Sequence, residues 1–440
     1  MEWWLALLII LGCFLVLLAV GVPVAFAFLF TNLVGAFFFW GGEAGLKQLV
    51  LSIVSALASY ALPAVILYIL MGEVVFVTGI AARMIGTLDG WIGRIPGRLS
   101  LEAVGAGTVF ATLSGSAVSG VALLGTSLVP EMEKLGYKKP MLLGPVLASG
   151  GLAQMIPPSV GAIVLAFIAK ISVGRVLFAI IIPGLMMACF YAVYIVIRCW
   201  LQPSIAPASG AKQISLSKKL IDSVKYLLPL VIIIFLVLGT VFLGICTPSE
   251  AAAVGALGAI ILAAFYRGVN WDRMKKSFMA TARITTMVFM IVAGATAFSQ
   301  ILAFSGVARS IVGLISSIDV APIMIVIIMQ IILLIMGCFM EAFSIMMVAV
   351  PIFFPIIVAL GFDPIWFAVL FLLNMECGGI TPPFGLSLFV MKGVAPSNCS
   401  MGDIILAGMP FLGLNMLVMA LLIIFPALTM WIPDLMFKPI

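Results

Sequence analysis

Long apolar blocks alternate with short polar ones along this chain, and the blocks exceed what a soluble helix needs. Runs of more than about 18 apolar residues are long enough to span a bilayer, and they recur from end to end. The pattern predicts an all-α polytopic membrane protein. Two blocks carry a double proline in mid-run, Pro157-Pro158 and Pro382-Pro383, 225 residues apart. A proline inside a helix removes a backbone hydrogen bond and costs about 3 kcal/mol. In a bilayer such a break survives only where the backbone is buried in protein or lines a cavity.

Sliding the chain against itself by 225 residues aligns more than the prolines: Gly21-Val22-Pro23 falls on Cys246-Thr247-Pro248, Val129-Pro130 on Phe354-Pro355, and Leu135-Gly136-Tyr137 on Leu360-Gly361-Phe362. With a slip of two residues, Thr78-Gly79-Ile80-Ala81 matches Ser305-Gly306-Val307-Ala308. This predicts a duplicated chain. The first repeat, 1–200, reads as a helix pair (3–40), a span (49–76), a re-entrant hairpin (about 100–135), a broken helix (about 141–169) and a last span (176–199). A linker, 201–225, joins it to the second repeat, 226–440, which holds a helix pair (226–266), a span (280–304), a hairpin (about 325–358), a broken helix (about 366–391) and a span (403–430). Five crossings per copy, about 10 in all, invert the second copy relative to the first, an arrangement common in secondary carriers. Gly72 and Gly79 are expected to serve close packing, and the stretch from Tyr266 to Phe278 is either an interfacial amphipathic arm or a solvated loop.

Charge tests this topology. With the N-terminus outside, 17 of the 22 Lys and Arg fall in inside segments, and the other five (Lys47, Lys170, Arg175, Arg309, Lys438) lie outside. That asymmetry obeys the positive-inside rule. Composition agrees: 65% of residues are hydrophobic and 9% charged, and mean hydropathy is +1.35. The net charge of +6 sits in short loops and carries no nucleic-acid signature. The chain has no histidine, which excludes imidazole catalysis and ligation, and no Walker A pattern. The seven cysteines lack Cys-x-x-Cys spacing and read as small core residues. The expected class is a carrier and not an enzyme.

Four segments offer oxygen ligands at membrane depth: Ser114 to Gly120, Ser149 to Ser159, Gly337 to Ser344, and Asn374 to Pro383. In each broken span a Gly pair and a Pro pair bracket about five residues, so a turn is expected to unwind. Freed carbonyls at the end of the first half-helix suit Na⁺, and the N–H groups opening the second suit a carboxylate. Glu341 and Glu376 are intramembrane acids with no Lys or Arg close in sequence, and functional use is the default expectation for such groups. Glu73, late in a span, and Glu250, at a helix-pair turn, read as loop-facing or cap-like carboxylates.

Three runs carry a resemblance: Phe110-Ala111-Thr112-Leu113-Ser114-Gly115-Ser116-Ala117-Val118, Met155-Ile156-Pro157-Pro158-Ser159, and Gly379-Ile380-Thr381-Pro382-Pro383-Phe384-Gly385-Leu386. Together, and over essentially the whole chain, they resemble the large membrane (M) subunit of TRAP transporters, the tripartite ATP-independent periplasmic carriers. The resemblance implies an inverted-repeat elevator fold and Na⁺-coupled uptake of a small organic anion, such as a C4-dicarboxylate, a related carboxylate or sialic acid. It implies two partners, a small membrane subunit (Q type) and a periplasmic substrate-binding protein (P type), in a bacterial inner membrane with a periplasmic N-terminus. By motif position it implies one Na⁺ site at Ser114, Ser116, Gly150, Gly151 and Met155, and a second at Gly337, Glu341, Glu376, Gly378, Gly379 and Thr381. Substrate would lie against Ser114, Gly115, Ser116, Pro157, Pro158, Ser159, Thr381, Pro382 and Pro383. The runner-up reading is a stand-alone divalent-anion/Na⁺ symporter, and a remote one is an intramembrane enzyme using two converging acids.

Overall fold

The computed structural model describes residues 3–60, 62–93, 95–207, 215–316 and 319–436; the side chains of Asp89, Leu113, Ser114, Ala308 and Ser316 also lie outside the described residues. Within them every regular element is helical. The first half holds α1 (Trp3–Ala19), α2 (Val24–Phe39), α3 (Glu43–Leu57), α4 (Leu62–Val77), α5 (Ile80–Ile92), α6 (Arg98–Ser114), α7 (Ala117–Lys134), α8 (Lys139–Gly151), α9 (Val160–Ile168), α10 (Val173–Ala179) and α11 (Ile181–Leu201). The second holds α12 (Leu216–Asp222), α13 (Leu228–Phe242), α14 (Pro248–Phe265), α15 (Trp271–Phe304), α16 (Val307–Ser316), α17 (Pro322–Gly337), α18 (Ala342–Ala359), α19 (Pro364–Ile380), α20 (Leu386–Val394), α21 (Met401–Ile424) and α22 (Ala427–Met436). Among the described residues six helices are long and apolar enough to cross a bilayer, or seven if the bent pair α3 and α4 is one span.

The elements recur at the 225-residue offset. Moved by that amount, α7 lands on the bounds of α18, α9 within a residue of α20, and α2 within a residue of α14. The copies differ at the third span. Where α15 runs unbroken through 34 residues, α3 and α4 are separate helices. Pro63 in the first turn of α4 has no N–H to continue the ladder from α3. The helices α5 and α16 that follow were not anticipated. Each is preceded by a glycine in the left-handed region, Gly79 at φ +76° and Gly306 at φ +77°. Nothing lies within 4 Å of where a Cβ on Gly79 would stand, so this residue makes a turn and not the close contact expected of it. The stretch from Tyr266 to Phe278 divides: Tyr266 to Asn270 form a loop, and Trp271 to Phe278 are the first turns of α15, which Asn270 caps by accepting from the Asp272 N–H.

Hairpin α6–α7 and hairpin α17–α18 enter the molecule from opposite ends. At the base of the first, the Lys138 N–H donates to Ile205 O (2.8 Å) in the linker, and Lys139 at the start of α8 pairs with Asp403 (2.7 Å) at the start of α21. At the base of the second, buried Trp366 donates to Leu422 O (2.9 Å) at the far end of α21. A helix of 24 residues is about 36 Å long, so the two bases lie a bilayer apart and the second copy is inverted. Helix α19 forms the centre of this half of the molecule: from Ile365 to Gly378 every side chain is buried, as expected of a helix apolar on all sides. Helices α1, α2 and α13 instead turn Leu8, Phe26, Phe30, Val231 and Phe235 outward. Those faces suit lipid or a membrane partner.

Candidate functional site

Both hairpin tips and both breaks meet at one cavity. Hairpin one turns at Gly115, in the left-handed region at φ +58°; Ser116 then caps α7 by accepting from the Ser119 N–H. A Cβ on Gly115 would stand 3.2 Å from Pro158 O, so this tip rests on the first break. Hairpin two turns at Cys338 to Glu341, and Glu341 caps α18 by accepting from the Phe343 N–H (3.1 Å). The Phe384 N–H donates to Cys338 O (3.1 Å), which fastens this tip to the second break. Both double-proline bonds are cis.

The Gly and Pro pairs divide the work differently from the expected single unwound turn. Gly150 and Gly151 stay within α8, and Gly378 and Gly379 within α19; chain without regular helix is confined to Met155 to Ser159, beyond a short 3-10 turn, and to Thr381 to Gly385. Neighbours leave no room for a side chain at Gly150, Gly151 and Gly378. A Cβ on Gly150 would lie 2.5 Å from Val121 N, and one on Gly378 2.8 Å from Gly337 Cα. Glycine thus lets each hairpin close onto its helix, and proline breaks the helix just beyond.

The cavity holds about 110 Å³, several times the roughly 10–15 Å³ that one water requires. Of the expected site residues it is lined by Gly115, Ser116, Gly337, Glu341, Glu376, Gly378 and Gly379. Gly150, Gly151, Met155, Pro157, Pro158 and Ser159 stand behind this lining, fully buried, and Thr381, Pro382 and Pro383 stand to one side of it. Ser159 is engaged in capping α9 through Ala162 N, and Thr381 donates its hydroxyl to Cys377 O (2.6 Å). The Ser114 side chain lies outside the described residues. Sequence reasoning missed one whole wall, Ile69, Glu73, Phe76 and Ile284 from α4 and α15, together with Ser387; Ser119, within the expected Ser114 to Gly120 segment, lines the cavity. Glu73 in particular faces the cavity and is not a loop-facing group. No local signal marks that wall, since its residues are ordinary span residues until the second half of the fold packs on them.

Two features set the electrostatics. First, Ala117, Val160, Ala342 and Leu386, each the first residue of its helix, all line the cavity. Four helix N-termini therefore converge there, each with partial positive charge and free N–H groups. Second, among the described residues the lining holds three carboxyl groups, Glu73, Glu341 and Glu376, and neither Lys nor Arg.

Glu376 crosses between the half-sites. It was grouped with Gly378, yet a Cβ on Gly151 would stand 1.6 Å from its Oε1, which puts the carboxyl group against the first break. Residues 151 and 376 are counterparts at the 225-residue offset, and counterparts touch only on the pseudo-twofold axis. A glycine in one copy leaves the room that a glutamate fills in the other. Glu376 is 2% exposed, and among the described residues its Oε1 has no hydrogen-bond partner; Ser149 Oγ and Gln154 Oε1 near the first break likewise have none there. Buried oxygens without donors are what a bound cation would satisfy.

This architecture, two inverted copies with hairpins and broken helices around a central cavity, is that of a membrane transporter. It superposes on the Alcanivorax borkumensis YdaH transporter with a TM-score of 0.66 at 14% identity, covering 89% of this chain and 90% of that one. With Neisseria gonorrhoeae MtrF the TM-score is 0.60 at 14% identity, over 87% and 84% of the two chains. The family model for "Tripartite ATP-independent periplasmic transporter, DctM component" matches residues 11–428. The chain belongs to this family and is a multi-pass large permease component of a TRAP transporter. Among its relatives are the C4-dicarboxylate TRAP transporter large permease protein DctM of Pseudomonas aeruginosa (32% identical, over 88% of this chain and 90% of that protein) and that of Vibrio cholerae (32%, 96% and 96%). The ectoine TRAP transporter large permease protein TeaC of Halomonas elongata is 29% identical over 96% of this chain and 97% of its own.

Proposed function

We propose that the protein imports a small organic anion, of the C4-dicarboxylate or related carboxylate class, together with Na⁺. The observation that carries this reading is the pairing of four helix N-termini with three carboxyl groups in one cavity whose described lining has no basic residue. The N-termini suit an anion. The carboxyl groups would repel it unless cations enter with it. One Na⁺ fits beside Glu376, Gln154 and the Gly151 region, where buried oxygens lack donors; a second fits beside Glu341, Gly337 and the end of α19. Na⁺ here is a co-substrate whose charge lets the anion occupy an acidic site.

An elevator motion suits the division of the molecule. The cavity abuts the Ile69 to Phe76 part of α4 and Ile284 of α15, both toward the ends of those helices that carry the basic loops. With those loops cytoplasmic by the positive-inside rule, the site is level with the inner half of the scaffold and the N-terminus is periplasmic. Family membership supports a tripartite assembly in the bacterial inner membrane: this chain, a small membrane subunit covering outward apolar faces, and a periplasmic binding protein that delivers substrate. Uptake by proteoliposomes holding all three components, with succinate as probe, is expected to stop when the Na⁺ gradient is collapsed. Uptake indifferent to that gradient overturns the coupling.

A further inference from the structure

A second cavity lies at the other end of α9. Val160 opens that helix in the wall of the central cavity; Phe167 and Lys170 close it in the wall of a cavity of about 370 Å³. Beside the apolar Ala56 and Ile168, its lining carries Ser55 and Ser59 near the end of α3, and Thr296, Ser299 and Gln300 near the end of α15. Fifteen residues of α15 separate Ile284 from Ser299, about 22 Å along the helix, so this vestibule belongs to the end of the molecule that lacks the basic loops.

Lys170 is unusual in two ways. It has a positive φ of 56°, at the turn where Ile171 N closes back on Ala166 O (2.9 Å). Glycine takes that position at no steric cost, and an L-residue there bears about 1–2 kcal/mol of strain. A lysine does favour a helix C-terminus, but an unstrained position one turn earlier would serve the dipole as well. Its ammonium also has no carboxylate partner among the described residues, although Arg175 five residues on has Asp434. Thr296 already donates its hydroxyl to Val292 O (2.9 Å) and Gln300 Oε1 accepts from Ser52, so the groups offered to a ligand are the exposed cation and the hydroxyls of Ser55 and Ser299; together they are complementary to an oxyanion, the cation supplying charge and the hydroxyls supplying donors.

We propose that this vestibule is an outer staging site for the anion, in which Lys170 attracts a carboxylate or sulfonate group and the hydroxyls hold it on the way to the central cavity. The ligand class rests on the transport reading above; the test does not. In the purified permease, cysteine placed by Ser299→Cys, and separately by Ser55→Cys, is reacted with an anionic methanethiosulfonate (a sulfonate) and with a cationic one (a trimethylammonium). Modification is read at each peptide by mass spectrometry. The anionic reagent is expected to be favoured, and Lys170→Gln to lower the anionic-to-cationic rate ratio roughly tenfold, within the range of electrostatic focusing in a cleft; Lys170→Arg is expected to retain it. An unchanged ratio in Lys170→Gln overturns the proposal, as does failure of both cysteines to react with either reagent. Because labelling needs no transport, loss of the ratio effect with intact Na⁺-dependent uptake removes the staging site alone.

Discussion

The two breaks share a backbone plan and differ in surroundings. The first, Met155 to Ser159, is buried throughout, its tip carries serines, and it supplies no acid of its own. The second is partly open: Phe384 is 59% exposed and Phe339 on its tip 64%, their rings 6.2 Å apart. It also supplies two of the three cavity acids, Glu341 in place and Glu376 reaching across the axis to the first break; the third, Glu73, comes from α4. Duplication thus supplied two equivalent cradles, and divergence at a few positions left one packed around serines and made the other an accessible source of carboxyl groups.

The largest effect is expected from healing each break. Pro157→Ala with Pro158→Ala, and Pro382→Ala with Pro383→Ala, are each expected to lower Na⁺-dependent uptake by roughly 100-fold or more, the scale of a small misplacement of binding groups. The thermal midpoint should fall only for the first pair, because only that break is enclosed by packed neighbours. Equal midpoints would erase the distinction, and uptake retained in either double variant would reduce that break to a kink.

Glycine substitutions come next in size. Gly151→Ala pushes a methyl group into Glu376, and Gly378→Ala pushes one into the backbone at Gly337. Each is expected to destabilise by about 1–3 kcal/mol, as overpacking does, whereas Gly86→Ala, with open space around it, should not destabilise. Gly151→Ala should also raise the Na⁺ concentration for half-maximal uptake, because the intruding methyl displaces the Glu376 carboxyl group. An unchanged half-saturating concentration in Gly151→Ala would remove Glu376 from the first half.

The acids themselves sharpen the contrast. Glu376→Gln and Glu341→Gln should each raise the half-saturating Na⁺ concentration roughly tenfold, about 1.4 kcal/mol of cation binding. Glu341→Gln keeps an amide oxygen that can accept from the Phe343 N–H, whereas Glu341→Ala should in addition cost about 1 kcal/mol of stability through the lost cap on α18. A fall in the thermal midpoint of Glu341→Gln as large as that of Glu341→Ala would contradict the capping role.

The smallest effect is expected at the base of the first hairpin. The hydrogen bond from Lys139 to Asp403 holds the lysine ammonium above its ordinary range. A raised folded-state value means the contribution is fully present below about pH 10.4, the unfolded lysine value, and is lost as pH rises through the folded value. The thermal midpoint of the wild type should therefore fall more steeply above about pH 10 than that of Lys139→Met, by a small margin because both partners are in contact with solvent. Parallel curves would show that the pair contributes nothing.

Much of this was legible because it is local. Proline breaks a helix wherever it stands, a 20-residue apolar block has few soluble fates, and basic loops mark one side of a membrane. From these follow the class of protein, the duplicated pattern and the two tips. The roles of individual glycines were less legible. Gly79 and Gly378 look alike in sequence, but one turns the chain and the other lets two helices meet. The sequence by itself determined where the backbone must bend or break. Tertiary structure alone decided which groups share the cavity: that Glu376 faces Gly151, its counterpart 225 residues away, that Glu73 and Ile284 form a wall, and that four helix N-termini point to one place. Such contacts join segments far apart in the chain, and no local preference of any one segment encodes the position of its partner.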